Sequence, residues 1–172
     1  MSDNLNINAL FVEHGAFLGR VIERISGSGP HVDDLLQETF FIAYKKRHKF
    51  DPSRSQPRTW LYGIAAKLCR GHERGLRRYN HFYNRFSREM TDAPRRPDEA
   101  LEKENLATVV RQVIQTMPFK QRQVFVLFEL EDMNGKQISE LLNIPEGTVW
   151  TRLLHGRNYF RKQMAKNEGQ VV

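Results

Sequence analysis

Residues 134–161, NGKQISELLNIPEGTVWTRLLHGRNYFR, predict two helices joined by a tight turn. Asn134 can cap the first helix, and Gln137 stands three residues later, where a capping box places the side chain that bonds back to the cap. Asn143 tolerates the left-handed conformation that ends a helix, and Pro145 follows within the turn. This stretch predicts a helix-turn-helix, with an ordinary αα-hairpin buried in a helical core as the alternative.

The second helix of this pair has two faces of different chemistry. The apolar face should pack on the first helix, because its members recur at helical spacing: Val149, Leu153, Gly156 and Phe160. The other face resembles that of a recognition helix in the major groove of DNA. It carries Gly147, Trp150, Thr151, Leu154 and Asn158, with His155 beside them.

Charge is unevenly distributed along the 172 residues, whose formal net charge is +7 with a pI near 9.8. Basic residues are concentrated in segment 45–88, and acidic residues gather near 33–34, 98–104 and 129–132. Such segregation is typical of a nucleic-acid surface flanked by protein-contact surfaces. A polyanionic partner is therefore expected.

Compartment and membrane association follow from two simple features. The chain has one cysteine, Cys69, which excludes an intrachain disulfide and a thiolate zinc site. The longest apolar run, Val124–Phe128, is far too short to span a bilayer. We expect a soluble, cytoplasmic protein.

The remaining sequence predicts almost continuous helix. Apolar residues recur at helical spacing over residues 8–26 and 31–49, and again beyond Thr59, which can cap a third helix. Gly27–Pro30 and Phe50–Pro57 interrupt the pattern with glycine and proline. Because no period-two alternation persists, the predicted fold class is all-α.

A linker is predicted where the helical pattern fades, over residues 79–97, because Ala93–Pro97 contains two prolines that exclude helix. It would join two small helical domains, residues 8–78 and residues 98–164. Since the linker has little apolar content, we expect it to be flexible and the domains to move independently in the free protein.

Five short motifs follow one another in these two domains. Asp33–Phe40 reads DDLLQETF, and Phe50–Pro52 and Thr59–Ala65 come after it. Met117–Phe125 and Pro145–Leu153 lie in the second domain. In type and order the motifs resemble regions two and four of bacterial RNA polymerase sigma factors, in particular the extracytoplasmic-function (ECF) subfamily of the sigma-70 superfamily.

The resemblance implies a specificity subunit rather than an enzyme, with no catalytic residues, cofactor, metal or small-molecule substrate. Such a subunit binds core RNA polymerase, at the clamp of the largest subunit and the flap of the second-largest, and directs promoter-specific transcription initiation. It further implies an environmental stimulus and an anti-sigma factor that is membrane-associated and would hold the protein at the inner membrane.

The resemblance also implies a polymerase-docking face on the second predicted helix, formed by Asp34, Gln37, Glu38 and Phe41. Acidic side chains there can meet basic residues of the clamp. Helix capping is the alternative reason for Asp33 and Asp34, because acids in a first turn interact favourably with the helix dipole; both roles can coexist.

Residues implied in reading the minus-ten element fall into a loop, a tryptophan and an arginine face. The loop residues Arg54, Ser55 and Gln56 can hold an extruded base, with a plain connector as the alternative. Trp60 can stack on a base or anchor the third helix in the core; Leu61 stands where melting members of the family carry a second tryptophan. The arginines contact phosphates or are merely solvated, and they are Arg70, Arg74, Arg77 and Arg78.

Residues implied in reading the minus-thirty-five element are Gly147, Thr148, Trp150, Thr151, Leu154, His155 and Arg157. The family commonly has arginine at the position of Trp150 and often at that of His155, and arginine reads guanine bidentately. The base preference of the family therefore cannot be transferred to this chain. Arg157 serves phosphates or helix packing.

Two other functions would also fit parts of this sequence. A helix-turn-helix regulator that binds DNA alone as a dimer is the nearer, although no dimer surface or ligand pocket is evident. The second is a metal-dependent enzyme, whose ligands would be His31, Asp33, Asp34 and Glu38, or His72 and Glu73. Neither set has a recognised metal-ligand spacing.

Overall fold

The computed structural model describes residues 5–89 and 106–168, with side chains over 5–82 and 106–167. Within these ranges the regular structure is entirely helical, which confirms the all-α prediction. The N-terminal part, residues 5–89, contains α1 (Ile7–Ser26), α2 (His31–Lys46), a 3₁₀ turn (Arg47–Lys49) and α3 (Pro57–Glu89). The C-terminal part, residues 106–168, contains α4 (Leu106–Thr116), α5 (Phe119–Phe125), a π-helical segment (Val126–Leu130), α6 (Gly135–Leu142) and α7 (Glu146–Glu168).

The N-terminal part is a three-helix unit in which α1, α2 and α3 pack on one another. Asn6 caps α1 by accepting a hydrogen bond from the Ala9 N–H, and Gly27, at φ 89°, ends the helix. Such a positive φ favours glycine, which has no Cβ to clash with the backbone. The apolar stripe of α1 supplies the centre of the unit: Leu18, Val21, Ile22 and Ile25.

Helix α3 begins earlier and ends later than the sequence pattern predicted. Its first residue is Pro57 rather than a residue after Thr59, because proline fits the first turn of a helix, where its missing N–H leaves no bond unmade. The helix then continues to Glu89, so residues 79–89 of the predicted linker are helical. No proline or glycine occurs over residues 76–89 to break it. Residues 90–97 lie outside the described ranges.

The helix-turn-helix prediction is confirmed in its local details. Asn134 accepts a hydrogen bond from the Gln137 N–H, and the Gln137 side chain accepts one from the Asn134 N–H, which together form the capping box. Asn143 ends α6 in the left-handed conformation, at φ 51°. The apolar face of α7 is buried as expected, although it packs on α5 as well as on α6: the Phe160 and Phe125 rings stack with centroids 5.2 Å apart.

The two parts of the chain share one hydrophobic core, a contact that the sequence did not predict. Buried polar groups join them. Arg122, on α5, donates from Nη1 to the Ile25 carbonyl at the end of α1 (2.8 Å) and from Nη2 to Glu73 of α3 (3.2 Å). Gln123 donates from Nε2 to the hydroxyl of Tyr62, on α3, at 3.0 Å. The two helical domains that the sequence predicted are thus present and pack against each other.

Candidate polymerase and nucleic-acid surfaces

The predicted docking residues lie together on the outer face of α2. Asp34, Gln37 and Glu38 are exposed, and the Phe41 ring is 56% exposed. The Lys45 ammonium lies 4.2 Å from the centroid of that ring. The face therefore carries a positive charge beside Phe41 and negative charges over the first two turns of α2. Since Asp33 and Asp34 occupy the first turn of α2, the geometry fits both helix stabilisation and docking.

The loop predicted to hold a minus-ten base is a turn organised by Asp51. Its carboxylate accepts hydrogen bonds from the Ser53 N–H (2.9 Å) and hydroxyl (2.6 Å), and these bonds lower the pKa of Asp51. Arg54 and Gln56 are exposed, and the Ser55 hydroxyl donates to the Gln56 carbonyl (3.2 Å). The loop thus directs a guanidinium and an amide outward from a fixed backbone.

Trp60 lies beside this loop and is partly buried. Its ring contacts Phe50, with centroids 5.3 Å apart, and packs against the hydrophobic core. One side chain can therefore anchor α3 in the core while part of its ring stays exposed.

The arginine face of α3 is exposed, although its members differ in their contacts. Arg70, Arg74 and Arg78 point to solvent. Arg77 instead forms an ion pair with Glu73, which also pairs with the buried Arg122. Arg77 is thus partly neutralised, whereas the other three give α3 its basic surface.

On the recognition helix α7, Trp150 is held at the elbow of the helix-turn-helix. Its ring packs edge-on against Phe128, with centroids 5.7 Å apart. The ring also lies close to Gly135: a Cβ added to that glycine would be 2.5 Å from Cζ2 of the indole. Arg157 binds Glu129 at 2.6 Å and lies 5.2 Å from the Phe128 centroid. Both side chains thus make protein contacts at the edge of the predicted DNA-reading surface.

The centre of that surface is less polar than its sequence indicates. The Thr151 hydroxyl donates to the Gly147 carbonyl at 2.9 Å, which directs it back into the helix. Leu154 is 55% exposed one turn further on, and His155 is exposed beside it. Thr148 is partly buried in the first turn of α7.

Sequence reasoning missed the buried ionic groups between the two parts. Glu131, in the C-terminal part, binds Arg20 and Arg24 of α1. Burial lowers the pKa of Arg122, and Glu73 opposes that shift. Nothing in the sequence could reveal these pairs, because their members are about 50 to 110 residues apart and belong to separate helices.

His31 and His72, one from each of the two candidate sets of metal ligands, lie next to each other. Their rings stack with centroids 4.4 Å apart and an angle of 12° between the ring planes. Burial and the neighbouring His31 lower the pKa of His72. Across residues 5–89 and 106–168, no group of three or more metal-ligating side chains is assembled. Nor is any helix in those ranges long and apolar enough to cross a membrane.

Comparison with protein families gives two matches that divide the chain as its helices do. The Sigma-70 region 2 model matches residues 10–79, and the Sigma-70, region 4 model matches residues 108–159. Among curated proteins, ECF RNA polymerase sigma factor SigW of Bacillus subtilis is 32% identical over 152 residues, covering 82% of this chain and 79% of SigW. RNA polymerase sigma factor HrpL of Pseudomonas syringae pv. syringae is 29% identical over 166 residues, covering 95% and 89%.

Two solved structures share the fold. CnrH, in complex with the cytosolic domain of CnrY, aligns with this chain at a TM-score of 0.65 and 21% identity. The alignment covers 93% of this chain and 88% of the CnrH chain. The sigma factor RpoE of Bartonella quintana, in complex with the anti-sigma factor NepR, has a TM-score of 0.62 at 16% identity, with coverage of 92% and 96%. Regions two and four in this order define a transcription initiation factor of the sigma-70 type. The chain belongs to the extracytoplasmic-function RNA polymerase sigma factors.

Proposed function

We propose that this chain binds core RNA polymerase and directs promoter-specific transcription initiation in response to an environmental stimulus, without catalysing a reaction. The observation that carries the proposal is the presence of three exposed surfaces of different chemistry on one chain. These are the acidic and aromatic face of α2, the arginine face of α3 and the outer face of α7. A regulator that binds DNA alone needs only the last of them.

Each surface has a proposed role. Residues 8–78 dock on the clamp of the largest subunit and read the minus-ten element. Residues 98–164 read the minus-thirty-five element and bind the flap of the second-largest subunit. On α2 the docking residues are Asp34, Gln37, Glu38 and Phe41. The minus-ten residues are Arg54, Ser55, Gln56, Trp60, Arg70, Arg74, Arg77 and Arg78; the minus-thirty-five residues are Gly147, Thr148, Trp150, Thr151, Leu154, His155 and Arg157.

Reading both elements at once requires the two parts to separate. The element names place them about 25 base pairs apart, which is roughly 85 Å of duplex at ~3.4 Å per base pair. A compact chain of this length has a radius of gyration of only about 16 Å. The packed arrangement is therefore the state before promoter binding.

A partner that grips both parts would keep them from separating. We assign that role to a membrane-associated anti-sigma factor, which would hold this cytoplasmic protein at the inner membrane. Support comes from a groove of about 1230 Å³ between α1 and α4, lined by groups of both parts that include Arg24, Leu106 and Val110. Such a groove suits an amphipathic helix. If the tagged chain does not co-sediment with membranes of unstressed cells, this assignment is wrong.

The function is tested by promoter binding and run-off transcription with purified components. We expect tight, sequence-specific binding of genomic fragments only when core polymerase is present, and defined start sites in the transcripts. Tight binding by the chain alone as a dimer would instead favour the stand-alone regulator.

A further inference from the structure

We propose that α7 reads the upstream promoter element mainly through thymine methyl groups, which contact Leu154 and the methyl group of Thr151. The inference rests on the proposed function, in which α7 enters the major groove. It concerns how the bases are distinguished there.

Three side chains of this face that carry hydrogen-bonding groups make contacts within the protein, whereas His155 remains exposed. The Thr151 hydroxyl donates to the Gly147 carbonyl at 2.9 Å. Arg157 is bound by Glu129 at 2.6 Å, and its guanidinium lies 5.2 Å from the Phe128 centroid. Trp150, at a position where an arginine would read guanine, is 45% exposed and packs against Phe128 and Gly135.

Apolar groups remain exposed at the centre of this face of α7. Leu154 is 55% exposed, and Thr151 is exposed with its hydroxyl turned toward the helix axis. Single exposed leucines are common on protein surfaces. This one lies one turn after Thr151 on the face opposite the buried Val149 and Leu153.

The major groove of DNA offers an apolar partner for these side chains. The 5-methyl group of thymine is the apolar contact that the major-groove base edges offer, and side-chain methyl groups recognise it. Residues three apart on a helix are about 4.5 Å apart along its axis, close to the ~3.4 Å rise between base pairs. Thr151 and Leu154 therefore match thymines at neighbouring base pairs.

The test is a selection by holoenzyme, formed from the full chain and core polymerase, on duplexes that have a randomised upstream window. Two libraries are compared, one with thymine and one with deoxyuridine, which keeps the hydrogen-bonding edge of thymine and lacks its methyl group. Leu154→Ala is compared with Val12→Ala, which trims an apolar side chain that is 85% exposed on α1.

We expect thymine to be enriched at two neighbouring positions. Replacing each by deoxyuridine should weaken binding about fourfold per methyl group. Leu154→Ala should abolish the preference at one position, and Val12→Ala should retain both. Equal enrichment of thymine and deoxyuridine, or enrichment of guanine at these positions, would overturn the methyl readout alone. No upstream enrichment of any base would overturn the role of α7 as well.

Discussion

At the scale of single residues, Gly135 and Trp150 meet at the elbow of the helix-turn-helix. Gly135 is the first residue of α6, and the indole ring of Trp150 occupies the place that a Cβ would fill. The shape of the elbow, and with it the direction of α7 relative to α6, depends on this contact. A small residue and a large aromatic one are therefore required together.

Gly135→Ala should lower the free energy of unfolding by about 1–3 kcal/mol, because the added methyl group would overlap the Trp150 ring. Gly71→Ala is the matched control: nothing lies within 4 Å of its Cβ position on α3, so it should stabilise by roughly 0.5–1 kcal/mol. Urea denaturation gives both values. In a Trp150→Ala background the cost at Gly135 should disappear; an equal cost there would mean that the indole is not the obstacle.

Cys69 is 2% exposed, and burial raises the pKa of its thiol to about 12 from 9.0. As the pH rises above 9, the unfolded chain loses this proton while the folded chain keeps it, so stability should fall with rising pH. We expect denaturation midpoints of the wild type to drop more steeply than those of Cys69→Ala between pH 8 and about 10. At pH 8 a thiol reagent should modify Cys69 only after unfolding. Parallel pH profiles, or rapid labelling of the folded protein, would contradict the buried thiol.

At the scale of helices, α2 illustrates how one face can serve two purposes. Its first-turn acids stabilise the helix, by about 0.3–1 kcal/mol each. The same acids, together with Glu38 and the exposed Phe41 ring, form a continuous surface that no other described helix covers. Stability and docking can be separated only by measuring both.

Glu38→Lys should weaken binding to core polymerase at least about tenfold, because a like charge would then face the basic clamp. Glu38 lies beyond the first turn of α2, so helical circular dichroism should be unchanged. Glu13→Lys, an exposed acid on α1, is the matched control and should bind normally. Fluorescence titration with core polymerase measures both. Equal affinities of the two variants would remove α2 from the docking surface.

At the scale of the whole molecule, the bond between Gln123 and Tyr62 reports on the packing of the two parts. Tyr62 is 2% exposed and Gln123 8%, and their side chains meet at 3.0 Å across the contact. If the parts were separate in the free protein, water would satisfy both groups. If the two parts are packed together, removing either side chain leaves the other buried polar group without a hydrogen bond.

Tyr62→Phe should therefore cost about 1–3 kcal/mol of the unfolding free energy of the full chain, since the Gln123 amide loses its acceptor. Gln123→Leu combined with Tyr62→Phe should recover part of that loss, which a double-mutant cycle measures. Tyr44→Phe, on an exposed ring, is the control and should be near neutral. A Tyr62→Phe variant as stable as the wild type would indicate that the parts separate freely.

Local structure and family membership follow from patterns within short stretches of the chain. The caps at Asn134 and Asn143, the apolar stripe of α1 and the buried face of α7 follow from hydrogen bonds and periodicity within a few residues, so they can be read directly. The end of α3 does not follow from such patterns: its apolar periodicity fades near residue 79, yet the helix continues to Glu89 because no proline or glycine over 76–89 breaks it.

The contacts of the surface groups, and those between the two parts, depend on how the helices pack. Arg122 and Gln123 belong to the motif that indicated region four, yet their partners Ile25 and Tyr62 lie far away in sequence. Trp150 was assigned to DNA by its helical face, and its contact with Gly135 depends on the angle between α6 and α7. Periodicity records which side of a helix is buried; it contains no information about which distant group completes a hydrogen bond there.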